Sequence, residues 1–100
     1  MSLTAQQIRY LRGLTHDLHP LVTVADKGLT ENVLAEIDAA LKRHELVKVK
    51  LRAGREQRKA WIEQIAKSAD AEVVHAIGQV ASYFRRNREK PVIALPGTAG

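Results

Sequence analysis

The apolar positions of this chain follow a helical period in three stretches. In the first, residues 4–18, Thr4 and Gln7 have the pattern of a capping box that starts a helix, and Pro20 stops it. The same spacing predicts a second helix over residues 30–44 and a third over residues 55–69. The apolar stripes consist of Ile8, Leu11, Leu14 and Leu18, then Val33, Leu34, Ile37 and Leu41, then Trp61, Ile62, Ile65 and Ala66.

Between the helices the pattern changes to that of strands. Residues 46–52 alternate without a break, so apolar side chains point to one side and basic side chains to the other. Residues 21–24 are short and β-branched and lead into a glycine-containing turn at 25–28. Two more strands, 72–77 and 79–85, turn at Gly78 and form a final hairpin.

The order helix, strand, helix, strand, helix, strand, strand predicts an α/β domain with a mixed four-stranded sheet. Because residues 46–52 alternate, one face of that sheet should be wet, which gives an open-faced two-layer sandwich with the helices on one side. One hundred residues fit a single domain. We assign residues 1–90 to this domain and residues 91–100 to a partly flexible C-terminal tail, loose from Pro96 to Gly100.

Charge narrows the range of partners. Sixteen Lys and Arg against eleven Asp and Glu leave a net charge of +5, and the isoelectric point is near 9.9. This balance favours a polyanion such as nucleic acid, although it also suits a solvated surface with a mild basic excess. The chain has no cysteine, no secretory signal and no apolar stretch of about 20 residues, so we expect a cytoplasmic protein without a membrane partner.

The basic residues are clustered. Lys48, Lys50 and Arg52 project from one side of a predicted strand at intervals of roughly 6–7 Å, a spacing that suits successive phosphates. A polar face and protection of a strand edge would explain the same row without any ligand. Two dense runs extend it: Lys42, Arg43, Lys48, Lys50, Arg52, Arg55, Arg58 and Lys59, then Arg85, Arg86, Arg88 and Lys90.

The turn at residues 25–28 lies between a strand and a helix N-terminus, where free backbone N–H groups and the helix dipole favour an anion. Gly28 permits close backbone approach, Lys27 adds a charge, and Thr30 is the predicted N-cap. A purely structural turn would have a similar sequence.

The sequence contains no motif that indicates catalysis or metal binding. The four histidines lack the spacing of a ligand set, and no serine lies in a nucleophile motif. We therefore predict no enzyme, no catalytic residue, no metal, no cofactor and no small-molecule substrate. Of the neighbouring Tyr83 and Phe84, one should point inward, and an exposed Tyr83 could stack on a base.

Four separated blocks resemble the CRM domain, and more narrowly its bacterial YhbY-type stand-alone form, over about residues 3–90. This resemblance implies RNA binding, association with precursors of the large ribosomal subunit, and a fold like the C-terminal domain of translation initiation factor three. The blocks are residues 9–14 (RYLRGL), 28–33 (GLTENV), 44–50 (HELVKVK) and 77–80 (IGQV) with Tyr83 and Arg85.

The family's Gly-x-x-Gly loop maps onto Ala25 to Gly28, where Ala25 replaces the first glycine and Asp26 adds a negative charge. The resemblance implies that this loop clamps the RNA backbone, and the restricted backbone freedom of Ala25 would weaken that contact. The resemblance and the charges together predict these RNA-binding residues: Arg9, Arg12, Lys27, Gly28, Thr30, Asn32, Lys48, Lys50, Arg85, Arg86 and Arg88.

Two functions therefore compete. The first is a monomeric ribosome-assembly factor that binds large-subunit precursor ribosomal RNA, mainly through phosphates. The second is a protein-interaction module that docks on a ribosomal protein or an assembly factor through an exposed apolar patch including Tyr83 or residues 92–95. A duplex-DNA reader is disfavoured because no helix carries a run of base-reading side chains.

Overall fold

A computed structural model describes residues 3–97 and has the predicted order of elements. The expected loose segment 96–100 is covered only at Pro96 and Gly97, and residues 98–100 lie outside the described residues. The helices are α1 (Ala5–Thr15), α2 (Glu31–His44) and α3 (Arg55–Ala69), and the strands are β1 (Pro20–Val24), β2 (Leu46–Leu51), β3 (Glu72–Ile77) and β4 (Val80–Phe84).

The four strands form one mixed sheet in the order β1-β2-β4-β3. The central pair, β2 and β4, is antiparallel, β1 adds parallel to β2, and β3 adds antiparallel to β4. The predicted α/β class, element order and mixed four-stranded sheet are therefore confirmed. The β1–α2–β2 and β2–α3–β3 segments are crossovers between strands that run in the same direction.

The main core lies between the sheet and the pair α2 and α3. We call this side of the sheet the helix face. Val47, Val49 and Leu51 of β2 point to it and are at most 1% exposed. Ile37 and Leu41 of α2 pack onto them with no exposed surface. The period-two pattern of β2 and the period-3.6 pattern of α2 thus bury the same aliphatic layer.

The opposite side, the open face, is not bare along its whole length, which corrects the expectation that all helices lie on one side. Helix α1 covers one half of it with Leu11, which packs against Leu46, Val74 and Phe84. The reason is visible in β2, whose first residue, Leu46, stands on the same side as the lysines but is apolar. The half of the open face that α1 does not cover carries Lys50, which is exposed.

Helix α1 is shorter than predicted and ends at Thr15 rather than at residue 18. The Thr15 hydroxyl donates a 2.6 Å hydrogen bond to the Arg12 carbonyl, and the next three residues leave the helix through bonds to carbonyls three positions back. Leu18 therefore does not join the apolar stripe and stays 36% exposed.

Tyr83 and Phe84 are both buried, on opposite faces of β4. The Tyr83 hydroxyl donates a 3.0 Å hydrogen bond to the Ile62 carbonyl, and burial raises the pKa of this phenol above its ordinary value. Base stacking by Tyr83, and its inclusion in an exposed apolar patch, are therefore excluded.

The start of the C-terminal segment is held by Glu45, the residue between α2 and β2. Its side chain is fully buried, and its carboxylate accepts backbone N–H groups from Asn87 at 2.6 Å, Val92 at 2.6 Å and Ile93 at 2.7 Å. Leu95 is buried in the α1 core. The domain boundary at residue 90 stays a prediction; of the segment after it, Ile93 and Leu95 contact the α1 core.

Candidate nucleic-acid interface

Three loops lie together at one end of the sheet. Because β1, β2 and β3 run in the same direction, their carboxyl ends share an edge. The segments that follow them are residues 25–30, 52–54 and 78–79, which we call the loop end. The opposite edge, the far end, carries the C-termini of α2, α3 and β4. A ligand at the loop end would therefore meet three loops and the N-termini of α2 and α3.

The loop before α2 is a closed turn. The Gly28 N–H donates to the Ala25 carbonyl at 2.8 Å, and the Thr30 N–H donates to the Gly28 carbonyl at 3.0 Å. Gly28 has φ +71°, a value that favours glycine, whereas Ala25 does not have a positive φ. Ala25, which stands where the resemblance implies a first glycine, therefore causes no backbone strain in this loop.

The N-terminus of α2 keeps open donors. Thr30 caps the helix as predicted, since its hydroxyl accepts the Val33 N–H at 3.1 Å. Among the described residues, the N–H groups of Glu31 and Asn32 have no acceptor within the protein. Together with the helix dipole, these two donors suit an anion. Asn32 thus contributes its backbone to the site.

The cations of the loop end have no acidic partner within 4 Å among residues 3–97. Asp26, Glu31 and Glu56 offset part of the charge but do not pair with them. Arg58 is half-buried and donates a 2.8 Å hydrogen bond to the Ala53 carbonyl, which holds the second loop in place. The loop-end cations are those in these loops, at the end of β2 and in the first turns of α3: Lys27, Lys50, Arg52, Arg55, Arg58 and Lys59.

At the far end two cations, Arg85 and Arg86, make internal contacts instead. Arg85 donates to the Asp38 carboxylate at 2.8 Å and to the Ala69 carbonyl at 2.7 Å. The hydrogen bond from Arg85 holds the pKa of Asp38 below its ordinary value. Arg86 lies 3.4 Å from the Glu45 carboxylate and donates to the Ile93 carbonyl at 2.7 Å. Two of the predicted RNA-binding arginines thus stabilise the fold.

The remaining predicted residues divide between these regions. Lys48 and Lys50 share a face as expected, but the Lys48 amine donates a 3.1 Å hydrogen bond to the Leu18 carbonyl, whereas Lys50 is free to meet a ligand. Arg9 and Arg12 are exposed on α1, and Arg88 is exposed at the far end. The predicted set therefore does not form one continuous surface.

A row of paired residues, most of them exposed, crosses the open face beside the loop end. Lys50 pairs with Thr23 on one side and with Val80 on the other, and Val80 pairs with Ile77. Ile77 is 68% exposed, more than the other large apolar residues that the structure describes. The pairing between strands brings these residues together. The sequence alone therefore predicts that Lys50 lies on a solvent-exposed face, but it does not predict that Ile77 lies in the same row.

Gly28→Ala is expected to lower the free energy of unfolding by about 1 kcal/mol. A methyl group at Gly28 would meet only ordinary contacts, 3.7 Å from the Trp61 ring, so the cost is the positive φ. Urea denaturation measures it, with Gly13→Ala as control. Gly13 lies within α1 with nothing within 4 Å, so alanine there should stabilise the protein. An unchanged midpoint for Gly28→Ala would contradict this expectation.

Within residues 3–97, no three His, Asp or Glu side chains are placed to hold a metal ion. In the same range no helix is long and apolar enough to cross a membrane. The cytoplasmic location and the monomeric state stay predictions.

Known proteins share this sequence and architecture. A probable RNA-binding protein of Pseudomonas aeruginosa is 41% identical over 88 residues, covering 87% of this chain and 85% of that protein. An RNA-binding protein of Haemophilus influenzae is 40% identical, covering 91% and 93%. The solution structure of a hypothetical protein from Staphylococcus aureus, a candidate RNA-binding protein, superposes with a TM-score of 0.81 at 32% identity, covering 95% of this chain and 100% of that one.

The family profile described as the CRS1/YhbY (CRM) domain matches residues 3–85. That range begins before α1 and ends just after β4, so it includes all seven elements and the loop end. The family is non-enzymatic, in agreement with the predicted lack of catalysis. The chain belongs to the CRS1/YhbY (CRM) domain family.

Proposed function

We propose that this chain is an RNA-binding protein whose loop end holds the phosphates of ribosomal RNA, and that it acts in assembly of the large ribosomal subunit. The observation that carries the proposal is that the cations of the loop end, unpaired within residues 3–97, lie beside the open N–H donors at the N-terminus of α2. Cations of the loop end lack internal acidic partners among the described residues, while Arg85 and Arg86 at the far end are ion-paired. The names of its relatives support RNA as the polyanion.

The site supports phosphate contact more than base reading. The site offers charges and N–H donors that suit phosphate oxygens, from Lys27, Lys50 and the free N–H groups of Glu31 and Asn32. Contacts to phosphates position RNA but carry little sequence information. Binding is therefore expected to depend strongly on salt and weakly on base composition.

The salt dependence of binding tests the RNA part of the proposal. If four or more loop-end cations contact phosphates, the logarithm of the association constant should fall with the logarithm of salt concentration with a slope of about −3 or steeper. Fluorescence anisotropy with a labelled fragment of large-subunit ribosomal RNA measures it. A slope near zero would overturn phosphate binding.

Crosslinking in bacterial cells that express the chain, followed by sequencing of the bound RNA, tests the ribosomal part. We expect large-subunit ribosomal RNA and its precursors to be enriched over total RNA. Recovery of mostly messenger RNA would overturn the assembly role and leave the salt-dependent RNA binding standing.

One observation favours the second function, docking on a protein. Leu18, Leu21 and Val92 are exposed around an apolar groove between the end of α1 and the C-terminal segment, and Val92 belongs to the patch that the sequence suggested. Leu95 does not belong to it, because it is buried. Association through this groove would persist at high salt, and Leu21→Glu would abolish it while leaving RNA binding unchanged.

A further inference from the structure

Trp61, the single tryptophan of the chain, extends from the main core to the loop end. It lies on α3 within the main core and is 8% exposed. A Cβ built on Gly28 would lie 3.7 Å from its Cζ2 and 3.9 Å from its Nε1. These two atoms share one edge of the indole, so the edge that carries the N–H group faces the turn before α2.

The indole N–H of Trp61 has no acceptor among the described residues. It is not sealed inside the protein either, since none of the fully enclosed side-chain nitrogen and oxygen atoms in residues 3–97 lacks a partner. The N–H group therefore opens onto solvent beside Gly28. A tryptophan buried to this degree normally finds a partner for its N–H, and this one faces the ligand side of the loop.

The surroundings select an anionic oxygen as the acceptor. The free N–H groups of Glu31 and Asn32 mark the positive end of α2 next to the same turn. Lys27 lies within the turn, and Arg58 lies one helical turn before Trp61 on the same side of α3. Because Trp61 is only 8% exposed within the main core, it has too little free surface to stack on a base, and the N–H edge is left for a hydrogen bond.

We propose that the Trp61 indole N–H donates a hydrogen bond to a phosphate oxygen of RNA bound at the N-terminus of α2. Gly28 leaves the indole edge uncovered, since it has no side chain between Trp61 and the ligand. This proposal rests on the proposed RNA binding and adds to it a binding residue that composition and charge do not reveal.

The single tryptophan gives one indole N–H resonance, which can be followed by NMR while oligouridine or oligoadenosine is added. We expect a downfield proton shift of similar size with both oligonucleotides, because the acceptor is in the backbone. A shift with only one of the two would overturn the phosphate assignment. An unchanged resonance while the protein binds RNA would overturn the role of Trp61 and leave the proposed function intact.

A matched variant separates the hydrogen bond from the packing. Replacing Trp61 by benzothienylalanine puts sulfur in place of the N–H group and keeps the size of the ring. We expect the melting temperature to stay the same and affinity for oligouridine to fall about tenfold, as for a lost hydrogen bond to a charged group. Equal affinity would overturn the proposal. Failure of the unaltered protein to bind either oligonucleotide would overturn both this proposal and the RNA binding on which it rests.

Discussion

Replacing both Lys50 and Arg52 by Glu is expected to weaken RNA binding by about a hundredfold near 0.1 M salt. Both side chains are exposed at the loop end, and neither has an ion-pair partner among residues 3–97. Each phosphate contact contributes about five- to eightfold at that salt concentration, and the new carboxylates add repulsion. The slope against salt should become shallower by about two units.

The control is the same change of charge at the far end, Arg43→Glu with Lys67→Glu. Both residues are exposed in the last turns of α2 and α3, and Arg43 lies roughly 18 Å along α2 from its N-terminus. The net charge of the two double variants is identical, so a general electrostatic effect would weaken both equally. Affinity of the far-end variant within about threefold of the parent would support a local contact, and equal losses would contradict it.

The fold could be predicted from sequence because each element has its own local signal. The alternation of Val47, Val49 and Leu51 with lysines predicts β2, and the Thr4 and Gln7 capping box, present in the structure, predicts the start of α1. The position of α1 could not be predicted in this way. It depends on Leu46 and Phe84, which stand opposite each other on neighbouring strands but are far apart in sequence.

The site could be predicted only where its chemistry is local. Lys27, Gly28 and Thr30 lie within four consecutive residues, so a turn before a helix N-terminus can be predicted from them directly. The sequence does not show which arginines are free of ion pairs, because these pairs join residues that are far apart along the chain. Arg85 and Asp38, for example, are 47 positions apart. Arg85 and Arg88 look alike in the sequence, yet the first is held by the fold and the second is exposed.

Glu45 is the clearest residue that sequence reasoning missed, since in the sequence it only offsets the charge of a basic run. It follows α2 with φ +63°, a position where glycine is common because other residues are strained there. Its side chain compensates for this strain, because the carboxylate accepts three N–H groups and pairs with Arg86. The signal that could have indicated it is an acidic residue directly between a helix and a buried strand.

Glu45→Ala is expected to destabilise the protein by about 3–5 kcal/mol, since it leaves Arg86 and three backbone donors unpaired. For a domain of this size that is a large part of the whole stability, which is typically about 5–15 kcal/mol. Glu45→Gln keeps one acceptor oxygen and should cost about 2 kcal/mol. Urea denaturation measures both, and hydrogen exchange at Val92 and Ile93 should accelerate first. Glu89→Ala, which removes an exposed carboxylate nearby, is the control and should change little.

The pH dependence of the free energy of unfolding tests whether the charge of the Glu45 carboxylate is what stabilises the protein. Burial alone would raise the pKa of Glu45, but the N–H donors of Asn87, Ile93 and Val92 and the charge of Arg86 outweigh it and lower the pKa below its ordinary 4.5. A lowered pKa means that the ionised group stabilises the fold above pH 4.5 and that this contribution is lost as the pH falls through the folded-state value. The stability difference between the parent and Glu45→Gln should therefore be constant near neutral pH and shrink in acid. A difference that stays the same from neutral pH down to acid unfolding would mean that shape, and not charge, holds residues 92–95 in place.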